Sequence, residues 1–314
     1  MLRRLHARFF PRFNVRNLLV PSREKKGEAK IAIRRVDHMY DAKGGRSVVA
    51  LRNVNVNIHA GEFACLLGPS GCGKTTLLYA LAGQVEPTDG RITIDGREVK
   101  GPSPDRFLMF QEPALFPWLT VQQNLVFALR ERVRTKRQAE ERAAYFIRRV
   151  HLEGFERHLP HQLSGGMRMR VSLARALSMD PAVLLMDEPF GALDAQTRSH
   201  MHQLLQEVWM ETRKTVVFVT HDVREALVLA DRVVVMAARP GRVLEDLEVL
   251  IPRPRDPDDE VLVSLSRQIR EALQRAEPAG EPASPEKEIH AAVDERAPAG
   301  GVPVRVAHPL GGGG

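Results

Sequence analysis

Apolar residues alternate with polar ones along two early stretches of the chain and then give way to short, continuous apolar runs. The alternating stretches are residues 31–36 and 48–58, and Lys43-Gly44-Gly45 supplies a turn between them. Such alternation predicts antiparallel strands with one buried face. Residues 63–67 are apolar at every position and end at Gly68, which predicts a strand buried on both faces of a parallel sheet.

Later parts of the chain repeat the buried-strand pattern. Three further apolar runs lie at residues 182–187, 215–220 and 232–236. Helical segments separate them, and residues 75–81 predict a helix that ends at Gly83. This alternation predicts an α/β fold with a mainly parallel sheet, preceded by an antiparallel β subdomain. Residues 112–170, rich in Arg and Glu, predict an inserted helical subdomain.

The two ends of the chain depart from this pattern. Residues 1–30 predict a disordered basic extension, with a membrane-surface helix or a start codon placed too early as alternatives. Residues 251–276 predict a C-terminal helical segment. Residues 277–314, dominated by Pro, Gly and Ala, predict a disordered tail because they have too little apolar surface to order themselves.

The formal net charge of +7 comes from the first thirty residues, which hold nine basic and two acidic side chains. The rest of the chain is neutral overall, so no general field attracts nucleic acid. No apolar run approaches the roughly 20 residues that a membrane-crossing helix needs. Two cysteines, Cys65 and Cys72, are too few for a disulfide framework and suit a reducing compartment.

The first predicted buried strand leads into a phosphate-binding loop, G-x-x-x-x-G-K-[ST]. Its residues are Gly68-Pro69-Ser70-Gly71-Cys72-Gly73-Lys74-Thr75. The glycines let backbone N–H groups converge on phosphates, and the following helix directs its positive end there. Lys74 is expected to reach the β and γ phosphates and Thr75 to bind Mg²⁺. Cys72 is interpreted as a small filler.

Two further segments point to the same chemistry. The apolar run at residues 183–187 ends in the adjacent carboxylates Asp187 and Glu188. Adjacent residues of a strand point in opposite directions, so Asp187 is expected to hold Mg²⁺ and Glu188 to activate the attacking water. The second segment, Leu163-Ser164-Gly165-Gly166-Met167, is a glycine-rich helix start suited to phosphate oxygens.

Together these segments resemble the ATPase subunit of an ABC (ATP-binding cassette) transporter, from about residue 31 to residue 249. The resemblance implies a P-loop NTPase core and an ATPase domain over residues 31–250. Residues 163–167 resemble the family signature, although its commonest form ends in glutamine where this chain has Met167. Further positions match family motifs: Gln111 the Q-loop, Asp194 the D-loop, His221 the switch histidine and Tyr40 the aromatic that stacks on adenine.

The resemblance also implies roles for these residues. Glu188, His221, Gln111 and Lys74 are expected to be catalytic, with Gln111 also a metal ligand, and Thr76 and Asp194 to join the ATP site. An isolated histidine is more often a surface or core residue, and His221 gains weight because it ends a parallel strand, where ligands of such sheets gather. Tyr40 has simple packing as its alternative.

The family mechanism is shared between two subunits. One chain binds ATP and Mg²⁺, and residues 164–166 of a second chain close over the γ-phosphate. The implied partners are a second ATPase subunit in a homodimer, membrane permease subunits and, indirectly, a solute-binding protein. The chain is expected to be peripheral on the cytoplasmic face of the membrane, with no nucleic acid bound.

Residues 111–118 follow the Q-loop position and include the large aromatics Phe116 and Trp118. Exposed aromatics favour interfaces, and in this family the segment meets the permease, although packing within the helical subdomain is the alternative. The stretch from residue 101 to residue 121 resembles the nitrate, sulfonate and taurine importer group. The other hypotheses are an importer for another solute, a soluble ABC ATPase acting on nucleic acid, and an unrelated P-loop kinase.

Overall fold

A computed structural model describes residues 18–22, 28–42, 46–130 and 132–276. The predicted turn at residues 43–45, most of the predicted N-terminal extension and the predicted tail at residues 277–314 lie outside these ranges. Among the described helices, none combines the length and the apolar character that crossing a membrane would require.

The described residues form strands and helices with the following bounds. The strands are β1 (Leu19–Pro21), β2 (Ile31–Ala42), β3 (Arg46–Ile58), β4 (Phe63–Leu67), β5 (Asp89–Ile94), β6 (Arg97–Glu98), β7 (Arg106–Met109), β8 (Val183–Asp187), β9 (Thr215–Thr220), β10 (Arg232–Ala237) and β11 (Arg242–Val249). The helices are α1 (Lys74–Ala82), α2 (Val121–Leu129), α3 (Lys136–Arg149), α4 (Gly165–Ser178), α5 (Ala195–Thr212), α6 (Val223–Leu229) and α7 (Glu260–Ala276).

The core is a seven-stranded sheet with the order β1-β11-β10-β4-β9-β8-β7. The five strands from β10 to β7 run parallel to one another. The residues of β4, β8, β9 and β10 are all buried, which is why their sequences are mainly apolar. The predicted α/β fold with a mainly parallel sheet is therefore confirmed.

A second sheet, antiparallel, has the order β3-β2-β5-β6. The alternating stretches pair as predicted, with Ile31 opposite Ile58 and Ile33 opposite Val56. The inward residues of this sheet pack on α1 and on one face of the core sheet in a common apolar cluster. The other face of the core sheet packs against the remaining helices.

The prediction of a separate N-terminal extension up to residue 30 needs one correction. Residues 19–21 form strand β1, which pairs antiparallel with β11 at the edge of the core sheet. This segment sits among basic residues and is only three residues long, so its pattern carries no strand periodicity. Its place in the sheet comes from the partner strand β11, and the ordered core therefore begins before residue 31.

Helices α2 and α3 form the inserted helical region, and both begin with a capping box, at Thr120 and Thr135. In a capping box the side chain of the N-cap residue accepts a hydrogen bond from the N–H of the third helical residue, and the side chain of that third residue accepts one from the N-cap N–H. Helix α7 packs on α6 and β10 and places Leu265 and Ile269 in the core. The C-terminal helical segment is thus part of the main body.

Candidate active site

Four neighbouring strands of the core sheet end at the same edge, and each leads into a predicted site segment. The phosphate-binding loop follows β4, His221 follows β9, Asp187 and Glu188 end β8, and Gln111 follows β7. These strands are adjacent and parallel, in the order β4-β9-β8-β7. Their carboxyl ends bring together residues that lie up to 150 positions apart in sequence, at the edge where parallel sheets bind ligands.

The phosphate-binding loop is tightly packed against the sheet. A Cβ atom on Gly68 would lie 2.6 Å from both the sulfur of Cys72 and the carbonyl oxygen of Met236. Gly73 begins α1 in the left-handed conformation, with φ of 83°, where a side chain is disfavoured. The loop therefore requires glycine at both places for steric reasons, before any ligand is considered.

Lys74 is buried, and its ammonium group lies within the loop. Its Nζ donates hydrogen bonds of 2.9 Å to the carbonyl oxygens of Gly68 and Pro69. A buried ammonium group needs several hydrogen-bond acceptors. These two carbonyl groups therefore keep the Lys74 ammonium group inside the curve of the loop. The geometry suits a lysine that exchanges carbonyl partners for anionic oxygens.

The side chains of Thr75 and Asp187 meet across the site, with 3.1 Å between Oγ1 and Oδ1. A hydroxyl and a carboxylate are hard oxygen donors of the kind that small divalent cations prefer. Among the described residues, no group of three or more His, Cys, Asp or Glu side chains is arranged to hold a metal ion. A cation held here would use the oxygens of Thr75 and Asp187, with the ligand supplying others, as is usual at phosphate sites.

Glu188 and His221 form the second polar pair of the site, with 3.0 Å between Oε2 and Nδ1. Glu188 has a positive φ of 40°, which is uncommon outside glycine and typical of functional sites. Its backbone N–H donates to the carbonyl oxygen of Val219 on β9. The backbone therefore turns the Glu188 side chain away from the strand and toward His221.

Gln111 lies beside this pair. A Cβ atom on Gly191 would lie 3.4 Å from Gln111 Nε2 and 3.9 Å from Glu188 Oε2. Glycine at position 191 leaves room between the two side chains. The structure thus brings Gln111 to the same sheet edge as Glu188, while its predicted role as a metal ligand stays a prediction.

Tyr40 and Thr76 lie on the other side of the loop and contact each other. The Tyr40 hydroxyl donates a hydrogen bond of 3.3 Å to Thr76 Oγ1, and its ring packs edge-on against His38. The Tyr40 residue is only 7% exposed, so packing describes its present contacts. Stacking of an adenine base on Tyr40 stays a prediction.

Cys72 is buried in the loop, 3.8 Å from Lys74 Nζ. Burial raises the pKa of its thiol. A protonated, buried thiol is a poor nucleophile, which agrees with the interpretation of Cys72 as a filler.

The second glycine-rich segment starts helix α4, and its first residues face outward. The Ser164 hydroxyl caps the helix by accepting a hydrogen bond of 3.3 Å from the Met167 N–H. Ser164 is exposed and Gly166 is buried, and a Cβ atom on Gly166 would collide with the methyl group of Thr197 on α5. The segment is thus fixed against α5, with its cap residue Ser164 exposed.

Asp194 caps α5 in the same way, because its carboxylate accepts a hydrogen bond of 2.9 Å from the Thr197 N–H. Hydrogen bonding to the backbone at Thr197 lowers the pKa of Asp194. Asp194 and Ser164 therefore lie at the starts of two helices that touch each other through Gly166 and Thr197. The structure groups them with each other, and a role for Asp194 in the ATP site stays a prediction.

Phe116 and Trp118 occupy different environments. Phe116 is half-buried against Phe127, with ring centroids 4.7 Å apart, as the packing alternative predicted. Trp118 is 72% exposed. The loop between them is held by buried Asn124, whose amide donates to the carbonyl oxygens of Phe116 and Leu119.

Sequence reasoning missed Asn124 and also Arg175. Arg175 lies on α4 and donates a hydrogen bond of 2.6 Å to the carbonyl oxygen of Ala114. Burial lowers the pKa of Arg175 to about 10. Its position links the glycine-rich helix α4 to the segment that follows Gln111, and nothing in the local sequence marks that contact.

Comparisons with known proteins agree with this geometry. Residues 51–191 match the family model described as ABC transporter. The chain is 47% identical over 206 residues to the nitrate import ATP-binding protein of Synechocystis sp., covering 66% of this chain and 77% of that protein. It is 48% identical over 216 residues to the taurine import ATP-binding protein of Burkholderia pseudomallei, covering 69% and 83%.

Two further comparisons extend this picture. The aliphatic sulfonates import ATP-binding protein of Bacillus cereus is 41% identical over 236 residues, which covers 75% of this chain and 93% of that protein. A solved structure of a bacterial ABC transporter cassette in its dimeric form is 35% identical, with a TM-score of 0.63 over 71% of this chain and 100% of that chain.

Proposed function

We propose, from the premise that this chain belongs to the family of ABC transporter ATP-binding proteins, that it hydrolyses ATP to power uptake of a small anionic solute. The observation that carries the proposal is the meeting of Lys74, the Thr75–Asp187 pair and the Glu188–His221 pair at adjacent strand ends. Phosphoryl transfer needs positioning and charge stabilisation more than covalent help from the protein. This arrangement supplies both.

Each pair has its own role in the proposal. The loop N–H groups and Lys74 hold the phosphates. Thr75 and Asp187 hold Mg²⁺, which neutralises charge on the phosphate oxygens when bound. Glu188 orients and deprotonates the attacking water, and His221 holds the Glu188 carboxylate in place and contacts the γ-phosphate.

The complete site needs two copies of the chain. The N-terminus of α4, with its exposed Ser164 hydroxyl, suits the γ-phosphate of a nucleotide bound by the partner. The dimeric form of the related cassette supports this arrangement. Closure of the dimer would then assemble the catalytic site and couple hydrolysis to a change in shape.

The membrane partner would dock near Trp118. A tryptophan exposed to this degree on a loop that Asn124 fixes is typical of an interface anchor. The names of the relatives support import of nitrate, sulfonate or taurine. The solute would cross the membrane through a separate permease, after delivery by a solute-binding protein. The chain would then lie peripherally on the cytoplasmic face of the membrane.

The Glu188→Gln variant tests the catalytic proposal. The amide keeps the shape of the side chain but cannot accept the proton, so we expect hydrolysis to fall by about 10²–10⁴-fold. ATP-dependent dimers, measured by size-exclusion chromatography with light scattering, should persist. Glu207→Gln, at an exposed position of α5, is the matched control. Full activity in Glu188→Gln would refute the assignment of Glu188.

The transport proposal needs a separate test. The full chain, purified from detergent-solubilised membranes, should bring down a multi-span membrane subunit. Uptake of nitrate, taurine and alkanesulfonates is then compared between cells with and without this gene. Loss of uptake for one of the three names the solute, and unchanged uptake of all three would overturn the solute class while leaving the ATPase assignment standing.

A further inference from the structure

A buried chain of hydrogen bonds lies directly behind His221. His202 on α5 meets Glu225 on α6, with 2.8 Å between Nε2 and Oε1. The other oxygen of Glu225 accepts a hydrogen bond from the Thr220 hydroxyl. Thr220 immediately precedes His221 at the end of β9. The chain therefore joins helix α5 to the strand end that carries His221.

The same hydroxyl also fixes the backbone on the far side of His221. The N–H of Asp222 donates a hydrogen bond of 3.0 Å to Thr220 Oγ1. Asp222 in turn caps α6 by accepting from the Arg224 N–H. The residues before and after His221 are thus held through Thr220, while the His221 side chain is 58% exposed and bonds Glu188.

The members of this network are almost completely buried, and stability alone does not explain why polar side chains occupy these positions. His202, Glu225 and Thr220 are 7%, 5% and 1% exposed. Replacing buried polar partners by apolar groups of the same shape is often neutral for stability. A fully bonded network does, however, fix a single arrangement of its members. The main effect of this network is therefore to fix the positions of the side chains and backbone groups that it joins.

His202 also reaches the segment that carries Glu188. Its ring packs against Phe190, with 5.6 Å between centroids, and Phe190 follows Glu188 by two positions. Phe190 packs in turn on Phe218 of β9. One side chain of α5 is therefore linked to both members of the candidate catalytic pair, to the segment of Glu188 through Phe190 and to His221 through Glu225 and Thr220.

We propose that Thr220, Glu225 and His202 are positioning residues that set the orientation of His221 toward Glu188. This inference rests on the proposed roles of Glu188 and His221 and adds that their geometry is held from behind by α5. Since α5 also abuts Gly166 through Thr197, a displacement at the starts of α4 and α5 would reach the catalytic pair through His202.

The test compares variants of the purified full-length chain in Mg²⁺-ATP. Thr220→Val keeps the shape but removes the hydroxyl, and we expect kcat to fall about tenfold with KM for ATP unchanged, because the phosphate and metal contacts proposed for Lys74 and Thr75 lie outside the network. His202→Leu should behave alike, whereas His202→Gln, whose amide can still donate to Glu225, should recover most of kcat. His200→Leu, an exposed histidine on the same helix, is the control.

A second background separates positioning from simple destabilisation. In His221→Ala, single-turnover hydrolysis should lose nothing further when Thr220→Val is added, because the network acts through His221. An equal loss in both backgrounds, or an unchanged kcat in Thr220→Val and His202→Leu, would overturn the inference. Full activity of His221→Ala or Glu188→Gln would instead refute the proposed function, so the two failures are distinguishable. Thermal melting of each variant shows that it is folded.

Discussion

The two glycine-rich helix starts of this chain are built differently. Helix α1 begins at Gly73 with no side-chain cap, and its first residue, Lys74, is buried with its ammonium group on the loop carbonyls. Helix α4 begins at Ser164, which caps the helix and is exposed. Both are helix N-termini suited to anions. The start of α1 is surrounded by residues of its own chain, whereas the first residue at the start of α4 is exposed at the surface.

In our proposal, this difference divides the nucleotide site between two chains. The start of α1 already has its counterparts, because Thr75 meets Asp187 at the end of β8. The start of α4 contacts α5, and its cap residue Ser164 is exposed. One half of the site is therefore preorganised by the fold. In our proposal the other half becomes useful only when a second chain places its own nucleotide there.

Among the variants that test this comparison, the largest effect is expected from removing the charge at the preorganised half. Lys74→Met keeps the length of the side chain and loses the ammonium group. Loss of a preorganised charge at a phosphate site should lower ATP hydrolysis by about 10²–10³-fold. Nucleotide affinity is measured by fluorescence titration alongside turnover. Lys100→Met, at a side chain that is 82% exposed, serves as the control and should retain full activity.

A mixing experiment tests the division itself. Gly165→Asp should fold, because the nearest atoms to a Cβ there are 3.8 Å away or more and a carboxylate favours a helix N-terminus. Its charge should nevertheless repel a partner's γ-phosphate, so this variant and Lys74→Met are each inactive as homodimers. Mixed dimers place both defects in one site and leave the other site intact.

An equal mixture of the two variants should therefore regain about a quarter of wild-type activity, since half of random dimers are mixed and each has one intact site of two. Turnover is measured against total protein as the ratio of the variants changes. No recovery at any ratio would mean that both glycine-rich segments serve the same site, and the comparison between the two helix starts would fail.

The sequence predicts the preorganised half well because local pattern and position agree there. The strands β4, β8 and β9 are buried on both faces, so continuous apolar runs identify them. The phosphate-binding loop and His221 directly follow such runs, Asp187 ends one, and the order of parallel strands brings them together. These site residues can therefore be predicted from the local sequence with little knowledge of tertiary contacts.

The remaining features depend on contacts that no local pattern encodes. Strand β1 is too short to show periodicity, and its pairing depends on β11. His202, Thr220 and Glu225 each look ordinary in sequence, and only the packing of α5 on α6 makes them a network. The contacts of Tyr40 also cannot be predicted from local sequence, since its hydrogen bond to Thr76 arises from the packing of β2 against α1.

The smallest effect on the isolated chain is expected at the other outward-facing region, the loop that carries Trp118. This side chain is largely exposed and contributes little to the core, so Trp118→Ala should leave ATP hydrolysis unchanged and shift the free energy of unfolding by about 0.5 kcal/mol or less. Recovery of the chain with detergent-solubilised membranes should instead fall strongly, because exposed aromatics anchor interfaces. Tyr145→Ala removes another exposed aromatic of the helical region and should leave recovery intact. Equal recovery of Trp118→Ala and the unmodified chain would show that this loop, unlike the start of α4, faces solvent without serving a partner.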